Sequence, residues 1–210
     1  MKSKTWLALL AALAAIALAV VVIGFGGDHN SGSKTSGSGN ATDAAFIADM
    51  TAHHQGAIDI AKPAREQADH TEIGTLADAI VSAQQPEIAT MKAVRDDLRA
   101  MGMHDGGHMG MSQHSMGMDM DMRALENARP FDKAFIAAMV RHHKGAAAMA
   151  KELLLKGEQP ALRKMAEDII SAQSEEIARM KQWRKAWYGS ANVPTDMSGH
   201  GSMDDMDGGR

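Results

Sequence analysis

A duplication constrains this chain more than any other feature. Residues 43–95 recur at 132–184 with a constant offset of 89 and no gap, and 23 of the 53 aligned positions are identical. DAAFIADMTAHHQGA aligns with DKAFIAAMVRHHKGA, and AIVSAQQPEIATMK aligns with DIISAQSEEIARMK. A gapless match of that length signals one structural unit used twice.

Each unit reads as two helices. In the first copy Phe46, Met50, His54, Ala57 and Ala61 recur at steps of three and four, which is one face of a helix. Its mate carries Ile73, Ala77, Ile80, Gln84, Glu87, Met91, Val94 and Leu98. The second copy gives Phe135, Met139, His143, Ala146 and Ala150, then Leu162, Met165, Ile169, Gln173, Glu176, Met180, Trp183 and Trp187. Thr42 or Asp43 suits the cap of the first helix, and Pro160 suits the first turn of the fourth. Pro63 and Pro86 fall inside predicted helices, where the missing N–H should kink or shorten them; the second copy has Glu152 and Glu175 there. Two helical hairpins joined by one long connection, residues 101–128, predict an all-α, four-helix bundle over residues 43–188.

The helical faces carry polar residues where a core belongs. His54 and His143 lie on the stripes, with His53 and His142 one step round, and Gln84, Glu87, Gln173 and Glu176 interrupt the partner helices. A hairpin turn near Asp69 sets residue 54 level with residue 84; in the copy, a turn at Glu158 sets 143 level with 173. Met50, His53 and His54 are therefore expected to face Gln84, Glu87 and Met91, and Met139, His142 and His143 to face Gln173, Glu176 and Met180. Met, His and His at i, i+3 and i+4 project from neighbouring positions of one helix. Thioethers favour Cu(I) and imidazole suits copper, zinc, iron and nickel, so a Met/His set points to copper. Glu87 and Glu176, with Gln84 and Gln173, would orient the imidazoles from behind. The bland alternative is a hydrogen-bonded His–Glu core layer with Met as filler.

Composition narrows the chemistry further. The chain has 210 residues, no Cys, 18 Met and a net charge of −4. Without Cys there is no disulfide framework, no thiolate zinc or iron–sulfur site and no thiol catalysis. Mild acidity with scattered Lys and Arg gives no footprint for nucleic acid. No Glu has a His three residues later, as a carboxylate-bridged di-iron bundle requires. Nor is there a Gly-rich phosphate loop.

Eleven of the 18 Met lie in the connection and the tail, off the helical stripes. Residues 101–122 contain Met101, Met103, Met109, Met111, Met116, Met118, Met120 and Met122, with His104, His108 and His114. These Met alternate with Gly, Asp and Ser and match no helical or strand face, so burial is not expected to explain them. Met-x-Met and Met-x-x-Met spacing lets a pliable segment wrap thioethers round a soft ion. The tail, residues 189–210, repeats the theme with Met197, His200, Met203 and Met206. At the other end, residues 6–25 are continuously apolar or Gly after Lys2 and Lys4, an export signal or a membrane anchor (1–25), followed by a Gly/Ser-rich linker, 26–42. Either reading puts the remainder outside the cytoplasm, membrane-attached if the segment is kept.

The paired F-x-x-x-M-x-x-H-H-x-G-A motif, each copy followed by A-Q-x-x-E-I-x-x-M-K, resembles the exported domain-of-unknown-function family 305 over residues 43–188. The resemblance implies a ferritin-like four-helix bundle and, from copper-binding members, a role in copper binding and tolerance. Its motif positions here are Met50, His53, His54, Met139, His142 and His143; the two copies differ at Ile60, where the second has Met149. The expectation is a copper-binding protein rather than an enzyme, which sequesters copper or passes it to another carrier or exporter. Two rivals stand beside it: a redox protein with a bundle-bound metal or haem, and a structural or interaction bundle without metal.

Overall fold

The computed structural model describes residues 39–194 apart from Asp105. Among them lie six helices: α1 (Ala41–Gln67), α2 (Thr71–Ala100), α3 (Gln113–Met116), α4 (Met122–Asn127), α5 (Phe131–Lys156) and α6 (Pro160–Tyr188). The long ones, α1, α2, α5 and α6, form the predicted four-helix bundle. Each hairpin packs within itself, and the two hairpins meet chiefly along α1 and α5, while α2 and α6 touch less. The N-terminal segment 1–25, most of the linker and the tail Met and His residues lie outside the described residues.

The duplication is faithful in three dimensions. Shifted by 89, the bounds of α1 become 130–156, one residue longer at the start than α5, and the start of α2 becomes Pro160, the start of α6. Pro63 and Pro86 lie inside uninterrupted helices, so of the expected kinking or shortening the shortening does not occur. For Pro86 the reason is placement: it and Ser82, whose carbonyl loses its helical donor, both face solvent, so water replaces the lost bond. The cap of α1 is also displaced from the expected Thr42 or Asp43. Asn40 is the cap, accepting from the Thr42 and Asp43 N–H groups, while Asp43 accepts from the Asn40 N–H to complete a capping box. Pro160 does open α6, behind a Gln159 cap, and Gly189 closes it with φ 75°, the left-handed geometry that a side chain would resist.

Asp43 and Asp132, equivalent residues at the starts of α1 and α5, are both fully buried, and each reaches across to the other hairpin. Asp43 accepts from the backbone N–H groups of Glu158 and Gln159 in the α5–α6 turn. Asp132 accepts from those of Asp69 and His70 in the α1–α2 turn, and from His70 Nδ1 at 2.6 Å. These reciprocal clasps hold the hairpins antiparallel and satisfy turn N–H groups that would otherwise be orphaned.

The core divides in two along the bundle. One apolar cluster contains Phe46, Met50, Met91, Met149, Leu153 and Leu162; the other contains Ile73, Ile80, Phe131, Phe135, Met139 and Met180. The first draws on the start of α1 and the end of α5, the second on the reverse. His53, His54, Gln84, His142, His143 and Gln173 are buried but belong to neither.

Candidate metal centre

The four histidines are the most deeply buried polar side chains of this middle layer, none more than 1 % exposed. The HH pair sits at mid-helix on both α1 and α5, so antiparallel packing brings residue 53 against its own repeat mate. The His53 and His142 rings lie 3.7 Å apart between centroids and 37° from parallel. His54 and His143 point outward to the partner helices. His54 Nε2 donates to Glu87 Oε2 at 2.7 Å, and His143 Nε2 donates to Glu176 Oε2 at 2.6 Å. His53 Nε2 donates to the Met116 carbonyl at 2.9 Å.

These acceptors have a chemical consequence. A carbonyl or ionised carboxylate takes a hydrogen bond only from N–H, so Nε2 carries a proton in His53, His54 and His143, and in the neutral ring the lone pair is then on Nδ1. All three Nδ1 atoms are buried without a hydrogen-bond partner, as are both ring nitrogens of His142. Burial holds the His53 imidazole down at about 3, with His54 and His143 opposing its charge further and the Met116 carbonyl working the other way. Burial likewise keeps His142 well below its ordinary value, beside His53 and His143; the His53 backbone offsets this slightly without reaching hydrogen-bond geometry. Five buried nitrogens without hydrogen-bond partners are costly in a folded core.

The thioethers are equally buried. Met50, Met91, Met139, Met149 and Met180 have no exposed surface, and Met91 Sδ accepts a weak hydrogen bond from Thr51 Oγ1 at 3.9 Å. Among the described residues no three His, Asp or Glu side chains form a group able to hold a metal ion. A hard cation therefore lacks its oxygen cage here, whereas an ion taking sulfur with one or two imidazole nitrogens suits the donors present. Gln84 and Gln173, expected to support the histidines, are buried with their Oε1 atoms unpaired, and the supporting contacts come from the two glutamates.

The Met/His-rich connection departs from expectation. It packs against the bundle: Met116 is buried, Met103, Met109, Met111 and Met118 are partly buried on the first core cluster, and Met120 and Met122 on the second. Met101, His104, His108 and His114 are exposed. The strap is pinned by anchors that have no periodicity. Buried Asp49 accepts from the Met109 N–H and from His108 Nδ1, which raises the His108 pKa, and His114 Nδ1 pairs with Asp119. The backbone at Met116 lies so close to Gly145 that a Cβ there would come within 2.0 Å of the Met116 oxygen. The glycine of the HH-x-G motif is thus a seat for the strap, a role that spacing alone does not reveal. Met197, His200, Met203 and Met206 lie outside the described residues.

The family model for DUF305, a domain of unknown function, matches residues 43–184 and, again, residues 153–209. The chain belongs to the DUF305 family. A solved relative, CopM in its Cu(I)-bound form, is 39% identical, with the alignment covering 70% of this chain and 98% of CopM at a TM-score of 0.60. CopM in its Cu(II)-bound form aligns with 39% identity, 70% and 97% coverage and a TM-score of 0.61. A DUF305 protein of Streptomyces coelicolor is 25% identical over 69% of this chain and 91% of its own, at a TM-score of 0.60. No curated protein matches the chain. The DUF305 bundle is thus common to relatives that differ widely in sequence.

Proposed function

We propose that this DUF305 protein binds copper outside the cytoplasm and sequesters it or passes it to another carrier, acting as a binding protein and not as a catalyst. The observation that carries the reading is the set of five unpartnered, buried ring nitrogens between fully buried thioethers. Copper-bound CopM, related over almost its whole length, supports it. Cu(I) is the favoured state, because it alone is well served by thioether and imidazole at low coordination number. Neutral histidines matter too, since a protonated ring offers no lone pair. The exposed Met101, His104, His108 and His114 would make first contact with the ion, and the buried Met50–His53–His54 and Met139–His142–His143 sets would retain it.

Export is supported by the apolar run 6–25 behind Lys2 and Lys4, and by the Streptomyces coelicolor relative being named as secreted. No described helix is long and apolar enough to cross a membrane, so membrane attachment would rest on residues 6–25.

The test is anaerobic Cu(I) titration against a competing chelator. It compares the native protein, a variant lacking residues 101–122, and a variant with His53, His54, His142 and His143 changed to Ala. Loss of tight sites in the histidine variant and slower loading in the deletion are expected. Unchanged stoichiometry and affinity in both would overturn the assignment.

A further inference from the structure

The two halves of the duplicated layer hold unequal shares of sulfur. Met50 and Met139 are repeat mates, as are Met91 and Met180, so the duplication gives each apolar cluster two fully buried thioethers. Two further methionines break the balance. Met149 has no exposed surface and packs in the first cluster with Met50, whereas its mate in the second cluster is Ile60. Met116, brought in by the connection between the hairpins, is buried in the first cluster as well. Among the described residues the first cluster thus buries four thioethers and the second two. Partly buried side chains widen the difference: Met103, Met109, Met111, Met118 and Met165 lie against the first cluster, and only Met120 and Met122 against the second.

The nitrogens divide the other way. His53, three residues after Met50, has its Nε2 tied to the Met116 carbonyl at 2.9 Å, which leaves Nδ1 alone without a partner. His142, three residues after Met139, has both ring nitrogens buried and unpartnered. Met116 therefore meets the first half twice, with its carbonyl on His53 and its side chain in the Met50 cluster. Packing does not call for methionine at 149, since Ile60 is buried at the equivalent position, 3 % exposed. What methionine adds there is a thioether, and thioether is the donor that selects Cu(I) over harder ions.

We propose that the two halves are metal sites of different softness. The half around Met50, Met91, Met116 and Met149 takes Cu(I), or another soft monovalent ion, first and more tightly. The half around Met139 and Met180 fills second. This rests on the copper reading above and adds that the chain's departure from its own repeat sets the order of loading. The strap is then part of the tighter site through Met116.

Ag(I) in chloride-free buffer is the probe, being soft, monovalent and inert to oxygen. Spectra of the full chain with 13C-methyl methionine should show Met50, Met91, Met116 and Met149 shifting before Met139 and Met180. The decisive variants exchange the residues that differ between the halves. Met149→Ile, a side chain with which the other half already folds, should weaken the first set by about tenfold or more, the scale on which even outer partners act on metal affinity. Ile60→Met should strengthen the second set and narrow the gap. Met116→Leu should weaken the first set and leave the second unchanged. Parallel shifts of both sets in the native protein would overturn the proposal and leave the copper reading standing. So would an unchanged first set in both Met149→Ile and Met116→Leu. No shift at any of the six methionines would overturn both readings.

Discussion

The His53 and His142 rings meet at 3.7 Å between centroids across the pseudo-twofold axis that relates the two halves of the chain. Each is therefore its partner's image, and two imidazoles that close in a core cannot both carry charge. The pair works as two neutral rings, which is the form that binds metals.

This arrangement predicts a specific acid sensitivity. An unfolded imidazole takes up its proton near 6.5, whereas His53 in the fold does so only at about 3. Between those values the unfolded chain holds more protons, so stability is fully present above about pH 6.5 and is lost as the pH falls toward 3. In the presence of chelator, the urea midpoint should fall more steeply from pH 7 to pH 4.5 in the native protein than in His53→Gln/His142→Gln. Parallel slopes would show that the histidine pair does not set this dependence.

The cross-hairpin clasps should be among the more sensitive polar sites. Asp43→Ala strips acceptors from the Asn40, Glu158 and Gln159 N–H groups, and Asp132→Ala strips them from Asp69 and His70. Leaving charge-assisted, buried bonds unmade costs about 2–4 kcal/mol. Urea unfolding followed by circular dichroism should show this loss in both variants, of similar size because the sites are equivalent. A loss under about 0.5 kcal/mol would rank the clasps with ordinary surface contacts.

Gly145→Ala sets two effects against each other. Alanine favours the helix by about 1 kcal/mol, but its methyl group would collide with the Met116 backbone. The strap should yield, because it has only a few anchors. Limited proteolysis should then cut within residues 101–122 much faster than in the native chain, while the helical signal is retained. Equal cleavage rates would mean that the strap is held elsewhere.

Glu87→Gln and Glu176→Gln address the support of the ligands. An amide in place of a carboxylate weakens the bond to Nε2–H and lowers the electron density at the opposite ring nitrogen. Outer partners of this kind are typically worth about 10- to 100-fold in metal affinity. Chelator competition should show a loss in that range for each variant with unchanged copper number. No change would place the glutamates in a purely structural role.

Much of the layer was legible beforehand because helical spacing is short-range information. The register that set residue 54 near residues 84 to 91 follows from hairpin length alone, and the His54–Glu87 and His143–Glu176 pairs meet it. Asp43 shows the limit. Its position at a helix start pointed to a local cap, while its actual partners include backbone N–H groups 115 and 116 residues away. Backbone donors carry no sequence signature, so no pattern announces such a bond. The strap was hidden for the same reason: Asp49, Gly117 and Gly145 hold it through backbone contacts without a period to detect.

The sequence by itself determined the duplication, the four long helices, the polar layer and its Met/His chemistry, since each depends on residue type and spacing within one hairpin. Only the tertiary structure decided which helices face each other across the repeat. Packing α1 against α5 in antiparallel fashion set His53 against His142 and left His53 Nδ1 and both ring nitrogens of His142 without partners. It also turned a Met-rich connection with no amphipathic pattern into a packed strap, because a fold can seat a chain through shape and backbone contacts that residue order does not encode.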